Sequence, residues 1–234
     1  MAGIGAQKLK PAILFCLPQA KFPYLCAINI VINMGYSNFK NLRLTLKKLG
    51  LEEVDNNLFP IITPVQPTEW LSQTLAIAKR VPLTNEKSKS ERVISPILTE
   101  IALHFEKEIT LFSGEDLPVD AQADLSGECD FFFAKHPRKS VMQAPVITLV
   151  EAKDEDFEYG QAQCTAQMYA AMRYNEQEGK PFPFMYGCAV TGDVWKFLRL
   201  ENSTVTVDTE VYYLVELPKI LGIFHEIIYE ILAV

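Results

Sequence analysis

Two carboxylates and an ammonium, set at the ends of two apolar runs, are the residues of this 234-residue chain best placed for chemistry. Residues 144–153 (APVITLVEAK) stay apolar as far as Val150 and then present Glu151 and Lys153. In an extended chain alternate residues share a face, so Ile147, Leu149, Glu151 and Lys153 are expected on one side and Val146, Thr148, Val150 and Ala152 on the other. A strand apolar on both faces is buried and central, and charges at its end demand a reason. The Glu-x-Lys spacing alone does not supply one, since Glu178-Gly179-Lys180 repeats it at an expected helix stop. Its company does. Gly127-Glu128-Cys129-Asp130-Phe131-Phe132-Phe133 sets Asp130 at the head of another apolar run, and a strand so placed can bring its carboxylate beside Glu151.

Two carboxylates brought together repel unless a cation lies between them. Mg²⁺ takes hard oxygen ligands, usually one or two carboxylates with water and substrate phosphate, so Asp130, Glu151 and the Ala152 carbonyl form a candidate metal set. Lys153 then stands where its ammonium can orient or deprotonate a water and offset charge developing on a phosphoryl group. His104, His136 and His225 are too scattered for a His-ligated centre, and Cys16, Cys26, Cys129, Cys164 and Cys188 form no Cys-x-x-Cys pair. Any metal must therefore be held by carboxylates, and the odd, dispersed cysteines point to a reducing, cytoplasmic compartment. Walker, GxSxG and GxGxxG patterns in a suitable context are absent from the sequence.

The elements that must position these groups follow from periodicity and punctuation. A short helix is expected from Ser37-Asn38 to Leu49, ended by Gly50, and a second over residues 69–79 capped by Thr68. An amphipathic helix over residues 91–108 carries Glu91 in its first turn, with Pro96 kinking it or shifting its start. Strands are expected over residues 109–112, 129–134 and 145–153, then a helix over 158–178, strands over 184–190, 194–200, 204–208 and 211–214, and a closing helix over 218–232. The order is an α/β plan in which the long helix after the third strand is a crossover. Trp70 and Trp195, with Tyr212, Tyr213, Gly187 and Gly192, read as packing and turn residues. Residues 1–33 form an atypical leader, with Lys8, Lys10 and Lys21 but no acid, so that Met34 is an alternative start; residues 34–87 are expected as a helical preface and 88–234 as the main domain. The apolar stretches of the leader are too broken to span a membrane.

Glu91, Asp130, Val150-Glu151-Ala152-Lys153 and the following helix with Gln163 and Gln167-Met168-Tyr169-Ala170 resemble the PD-(D/E)XK nuclease superfamily. The order is similar to the nuclease domain at the start of type I restriction-enzyme R subunits, and closer still to uncharacterised cyanobacterial members, over about residues 88–214. The resemblance implies a restriction-endonuclease-like mixed central sheet flanked by helices. It implies Mg²⁺, with Mn²⁺ able to substitute, on Asp130, Glu151 and Ala152; an active-site lysine at Lys153; a helix-borne acid at Glu91; and a glutamine at Gln163 or Gln167. Gln163 is favoured as nearer the strand end. The family proline is absent, with Cys129 in its place, and Glu128 is either an extra ligand or a charged turn residue.

Composition adjusts this expectation without removing it. Lys and Arg number 22 against 29 Asp and Glu, a formal charge of −7, which excludes non-specific coating of nucleic acid. Asp154, Glu155, Asp156 and Glu158 follow the lysine directly and would repel a phosphate backbone. Two basic stretches could compensate: Lys79, Arg80, Lys87, Lys89 and Arg92, and the loop of Lys135, His136, Arg138 and Lys139, where Lys135, Arg138 and Lys139 are the expected phosphate contacts. The expected activity is Mg²⁺-dependent hydrolysis of DNA, with DNA as partner, no membrane, and a homodimer left open. The alternative is a catalytically inactive nuclease-fold module that binds protein or nucleic acid.

Overall fold

The computed structural model describes residues 35–117, 119–120, 123–137, 140–153 and 156–234. The chain divides into the units Met1–Asn33 and Met34–Val234. The expected leader, together with Arg138, Lys139, Asp154 and Glu155, lies outside the described residues.

Local sequence accounts for most element ends. Helix α1 (Leu42–Leu49) starts where the Asn41 side chain accepts the Leu44 N–H and stops at Gly50 in the left-handed conformation. Helix α2 (Glu69–Ala78) is capped by Thr68, whose N–H and hydroxyl are both held by Glu100. The amphipathic helix expected over residues 91–108 is broken into α3 (Glu86–Lys89), a π turn over Ser90–Ile94 and α4 (Ser95–His104). Pro96 falls in the first turn of α4, where its missing N–H costs least, and the widened turn before it carries Glu91.

Strands β1 (Glu52–Asn56), β2 (Thr110–Asp116), β3 (Glu128–Ala134), β4 (Val146–Ala152), β5 (Phe184–Val190), β6 (Val194–Glu201), β7 (Thr204–Asp208) and β8 (Tyr212–Tyr213) form one mixed sheet. Its order is β1-β7-β6-β5-β4-β3-β2, with β8 paired to β6. The pairs β1/β7 and β4/β5 are parallel and the others antiparallel. The parallel β4/β5 pair is joined by α5 (Phe157–Gln177), the expected crossover, and α6 (Leu217–Leu232) closes the chain.

Two apolar layers follow. On one face α2, α4 and α6 bury Leu71, Ile97, Ile101, Ile220, Phe224 and Ile227 against Phe131, Phe133, Val150, Trp195 and Phe197. On the other, α1 and α5 bury Leu42, Leu46, Ala162, Ala166, Met168 and Ala170 against Phe132, Leu149, Leu198 and Val205. The architecture is thus α/β, a mixed central sheet with helices on both faces. Among the described residues no helix is long and apolar enough to cross a membrane.

Three sequence expectations give way to tertiary context. The segment 34–87 is more than a helical preface, because Glu52–Asn56 pairs with β7 as a sheet edge; its five exposed residues, three of them acidic, hide that strand from a hydrophobic pattern. Trp195 is fully buried, but Trp70 is 46% exposed on α2. The strict alternation expected along β4 breaks at a register shift opposite Phe133/Ala134. One extra residue reverses side-chain parity, so Ile147 joins the layer of Val150 and Ala152 while Val146 and Leu149 face α5.

Candidate active site

Strands β3 and β4 pair antiparallel with Phe131 opposite Val150 and Phe132 opposite Leu149. The head of β3 therefore meets the end of β4, and Asp130 comes to Glu151-Ala152-Lys153. Asp130 Oδ2 accepts the Ala152 N–H at 2.8 Å, so this β4 N–H is met by a side-chain carboxylate of β3. Beyond β4 the chain stays tethered to the sheet, since the Lys153 N–H donates to the Val190 carbonyl at 2.8 Å.

Glu151 is 3% exposed, and both its oxygens are engaged. Lys153 Nζ lies 2.7 Å from Oε1, and Gln167 Nε2 donates to Oε2 at 2.7 Å. The lysine stem passes under the first turn of α5. A Cβ at Gly160 would sit 3.3 Å from Lys153 Cγ, so the glycine lets the helix close on the side chain. The Tyr159 ring stands 5.3 Å from Lys153 Nζ, and Glu86 Oε1 lies 3.9 Å from it.

The glutamine that reaches the carboxylate is Gln167, and Gln163, favoured as nearer in sequence, does not make the bond. Gln163 is buried with its Oε1 unpartnered among the described residues. The cause is the way α5 lies on β4. It runs back along the strand, with Gly160 over Lys153 and Asn175 holding both the N–H and the carbonyl of Val146 at 2.8 and 2.7 Å. Fifteen helical residues and seven extended ones both span about 23 Å, so helix and strand stay in step. Helical side chains lean toward the N-terminus, so the residue reaching Glu151 lies a turn further along than sequence distance suggests. Close approach depends on Gly187 of β5, where a Cβ would come 2.3 Å from Met168 Sδ.

Burial, then the neighbouring Asp130 charge, pushes the Glu151 carboxyl up to about 7, against the opposing pull of Lys153 and Gln167. Burial likewise raises Asp130, although Lys153, the Ala152 N–H and a hydrogen bond with Glu151 hold it back. Burial acts to lower Lys153, but Glu151, Asp130 and Glu86 outweigh it and keep the ammonium charged above its ordinary range. The two carboxyls thus carry more negative charge than one ammonium offsets, and they contest a proton.

Asp130 and Ala152 open onto a cleft of about 400 Å³. Glu91 stands on its rim, its side chain 60% exposed and 3.8 Å from Lys87, one turn away on the same helix. Glu128 and Glu86 line the same cleft, and Glu86 is a contact that sequence reading missed, because its partner is 67 positions away. The acids after Lys153 are partly absorbed by structure. Asp156 caps α5 by accepting the Tyr159 N–H, and Glu158 accepts from Asn41.

Lys135 is not brought to the site. The β3–β4 connection leaves from the opposite end of both strands, about 17 Å from Glu151 along β4. There Lys135 Nζ donates to the Ile231 carbonyl at the end of α6, a cation at a helix C-terminus, and stands 5.6 Å from the Phe182 ring. His136 is buried with Thr110.

Among the described residues no three Asp, Glu, His or Cys side chains converge as a metal cage. The donor chemistry still fits a hard divalent cation, which commonly takes only one or two carboxylates. Asp130 and Glu151 are adjacent, short of positive charge and beside an open cleft, and each bonded carboxylate oxygen keeps a further lone pair. No family model matches the chain, and no curated protein matches it.

Proposed function

We propose that this protein is a divalent-cation-dependent phosphodiester hydrolase acting on DNA in the cytoplasm, a nuclease of the PD-(D/E)XK kind. One observation carries the reading: Asp130, Glu151, Lys153 and Gln167 converge at one end of two adjacent strands, with Lys153 Nζ 2.7 Å from Glu151. A mixed sheet with helices on both faces agrees with that kind of fold.

Asp130, Glu151 and the Ala152 carbonyl would hold the ion. When bound, Mg²⁺ or Mn²⁺ supplies Lewis-acid stabilisation of the phosphoryl oxygens and makes water a stronger acid. Lys153, held charged by its acidic neighbours, orients the attacking water and offsets charge developing on the phosphate. Gln167 fixes the rotamer of Glu151, a supporting hydrogen bond of the sort that tunes such sites. Glu91, on the cleft rim, is placed to order solvent or substrate and not to touch the Asp130–Glu151 pair directly.

Purified protein, tested for cleavage of supercoiled DNA with Mg²⁺ and with EDTA, is expected to cut only with the ion. Lys153→Ala and Asp130→Ala, checked for folding by circular dichroism, are each expected to abolish cutting. Cleavage that survives either change overturns the assignment.

A second reading, an inactive module that keeps the fold for binding, is favoured by the bond that each Glu151 oxygen already makes within the protein. It expects no rise in melting temperature on adding divalent ions, whereas a site that binds them in the native state must show one.

A further inference from the structure

We propose that the exposed basic face of Lys40, Arg43 and Lys47, on and just before α1, contacts the phosphate backbone of the DNA duplex presented to Lys153. The proposal rests on the hydrolase reading for the identity of its partner. Between Tyr36 and Leu51 the chain has Lys40, Arg43, Lys47 and Lys48 and no acidic residue, in a protein whose formal charge is −7. Lys48 is spent on Asp124 at 2.5 Å and on the Phe39 ring. Lys40, Arg43 and Lys47 are exposed, and no ion pair joins them to an acid among the described residues. Arg43 and Lys47, four residues apart, stand one above the other, and Lys40 extends the row past the cap residue Asn41.

The row lies next to the site. Asn41 donates to Glu158, and the Tyr159 hydroxyl donates to the Ser37 carbonyl at 3.2 Å. The ring of that same Tyr159 is 5.3 Å from Lys153 Nζ, so this side chain links Ser37, three residues before Lys40, to the ammonium of the candidate site. Of the acids at this junction, Glu158 accepts from Asn41 and Asp156 accepts the Tyr159 N–H, and both remain exposed.

Other surfaces compete poorly. Lys135 lies at the far end of the sheet with its ammonium bound to Ile231, and Lys87 and Arg92 contact Glu91 and the Pro82 carbonyl. A membrane is a poorer occupant than DNA, because α1 buries Leu42 and Leu46 and leaves Leu44 as its one strongly exposed apolar residue.

The test compares wild type with a Lys40→Ala/Arg43→Ala/Lys47→Ala variant and with a control, Lys107→Ala/Lys180→Ala/Lys219→Ala, that removes equal charge from exposed positions on neither α1 nor the cleft. Duplex binding is followed by fluorescence anisotropy in Ca²⁺ across a salt series, and hydrolysis of bis(p-nitrophenyl) phosphate in Mg²⁺ is measured in parallel. Three lost phosphate contacts should weaken duplex binding on the order of 10²-fold at about 0.1 M salt and flatten the logarithmic salt slope by about 3. The control should bind like wild type, and all three proteins should hydrolyse the small diester equally. Wild-type affinity and slope in the α1 variant, an equal loss in the control, or α1-dependent binding to phosphatidylserine vesicles in place of DNA overturns the inference. Loss of duplex binding specific to the α1 variant, with no hydrolysis by any protein, supports the inference and defeats the hydrolase reading.

Discussion

Replacing Glu151 by Gln should change how stability depends on pH, by an amount that the site itself sets. The folded carboxyl titrates at about 7 against an ordinary 4.5, chiefly through burial and then through Asp130. Its folded value lies above its unfolded one, so between pH 4.5 and 7 the native state keeps a proton that the unfolded chain has released. Stability therefore falls as pH rises through that window, and the full penalty stands above it. At 1.36 kcal/mol per pH unit the interval amounts to about 3 kcal/mol, or about 10 °C in melting temperature for a unit of this size. Glu151→Gln keeps the shape but cannot ionise; its amide oxygen accepts from Lys153, and its NH₂ is satisfied when the Gln167 amide turns over to present its Oε1. In EDTA, between pH 5 and 8, wild type should lose about 10 °C more than Glu151→Gln in calorimetric melts. At pH 8 saturating Mg²⁺ should restore wild type and leave the variant unmoved, since only the carboxylate gains from the ion. Parallel melting curves for the two proteins across this range would refute the raised carboxyl, and with it the burial and the crowding by Asp130 that cause it.

Gln167→Leu should lower the cleavage rate about 10- to 100-fold with little effect on duplex affinity, because it frees the Glu151 rotamer without touching the cleft; single-turnover kinetics separates the two. Asn175→Ala should cost about 3 kcal/mol in urea unfolding, as two buried main-chain groups of Val146 lose their partners. Gly187→Ala should destabilise by about 1–3 kcal/mol through contact with Met168, and the Gly187→Ala/Met168→Ala double variant should show a favourable coupling in a double-mutant cycle.

The strand that ends in Glu151 and Lys153 was readable because its physics is local. An apolar run that ends in Glu151 and Lys153 declares a buried strand with charges at its mouth, and Asp130 before a run of phenylalanines declares its neighbour. Caps at Thr68 and Gly50 marked helix ends for the same reason, whereas Ser37-Asn38, expected to start α1, belong to a 3-10 turn and the helix starts from Asn41. What could not be read depends on relations between elements. Gln167 prevails over Gln163 through the offset of α5 on β4, which the Asn175 clamp fixes. The bulge in β4 reverses Ile147 without any mark in its own sequence. Lys135 is near both motif strands in sequence and far from the site in space, since a hairpin puts its loop at the end opposite its strand termini. Edge strand β1, polar throughout, had no apolar pattern to find.

The central claim is a cation held between two carboxylates, and a crystal soaked in Mn²⁺ with data collected at the manganese absorption edge tests it most directly. A single anomalous peak between Asp130 and Glu151, within ligand distance of the Ala152 carbonyl and lost in Asp130→Ala crystals, is the predicted result. Ordered carboxylates with no anomalous density between them would contradict it.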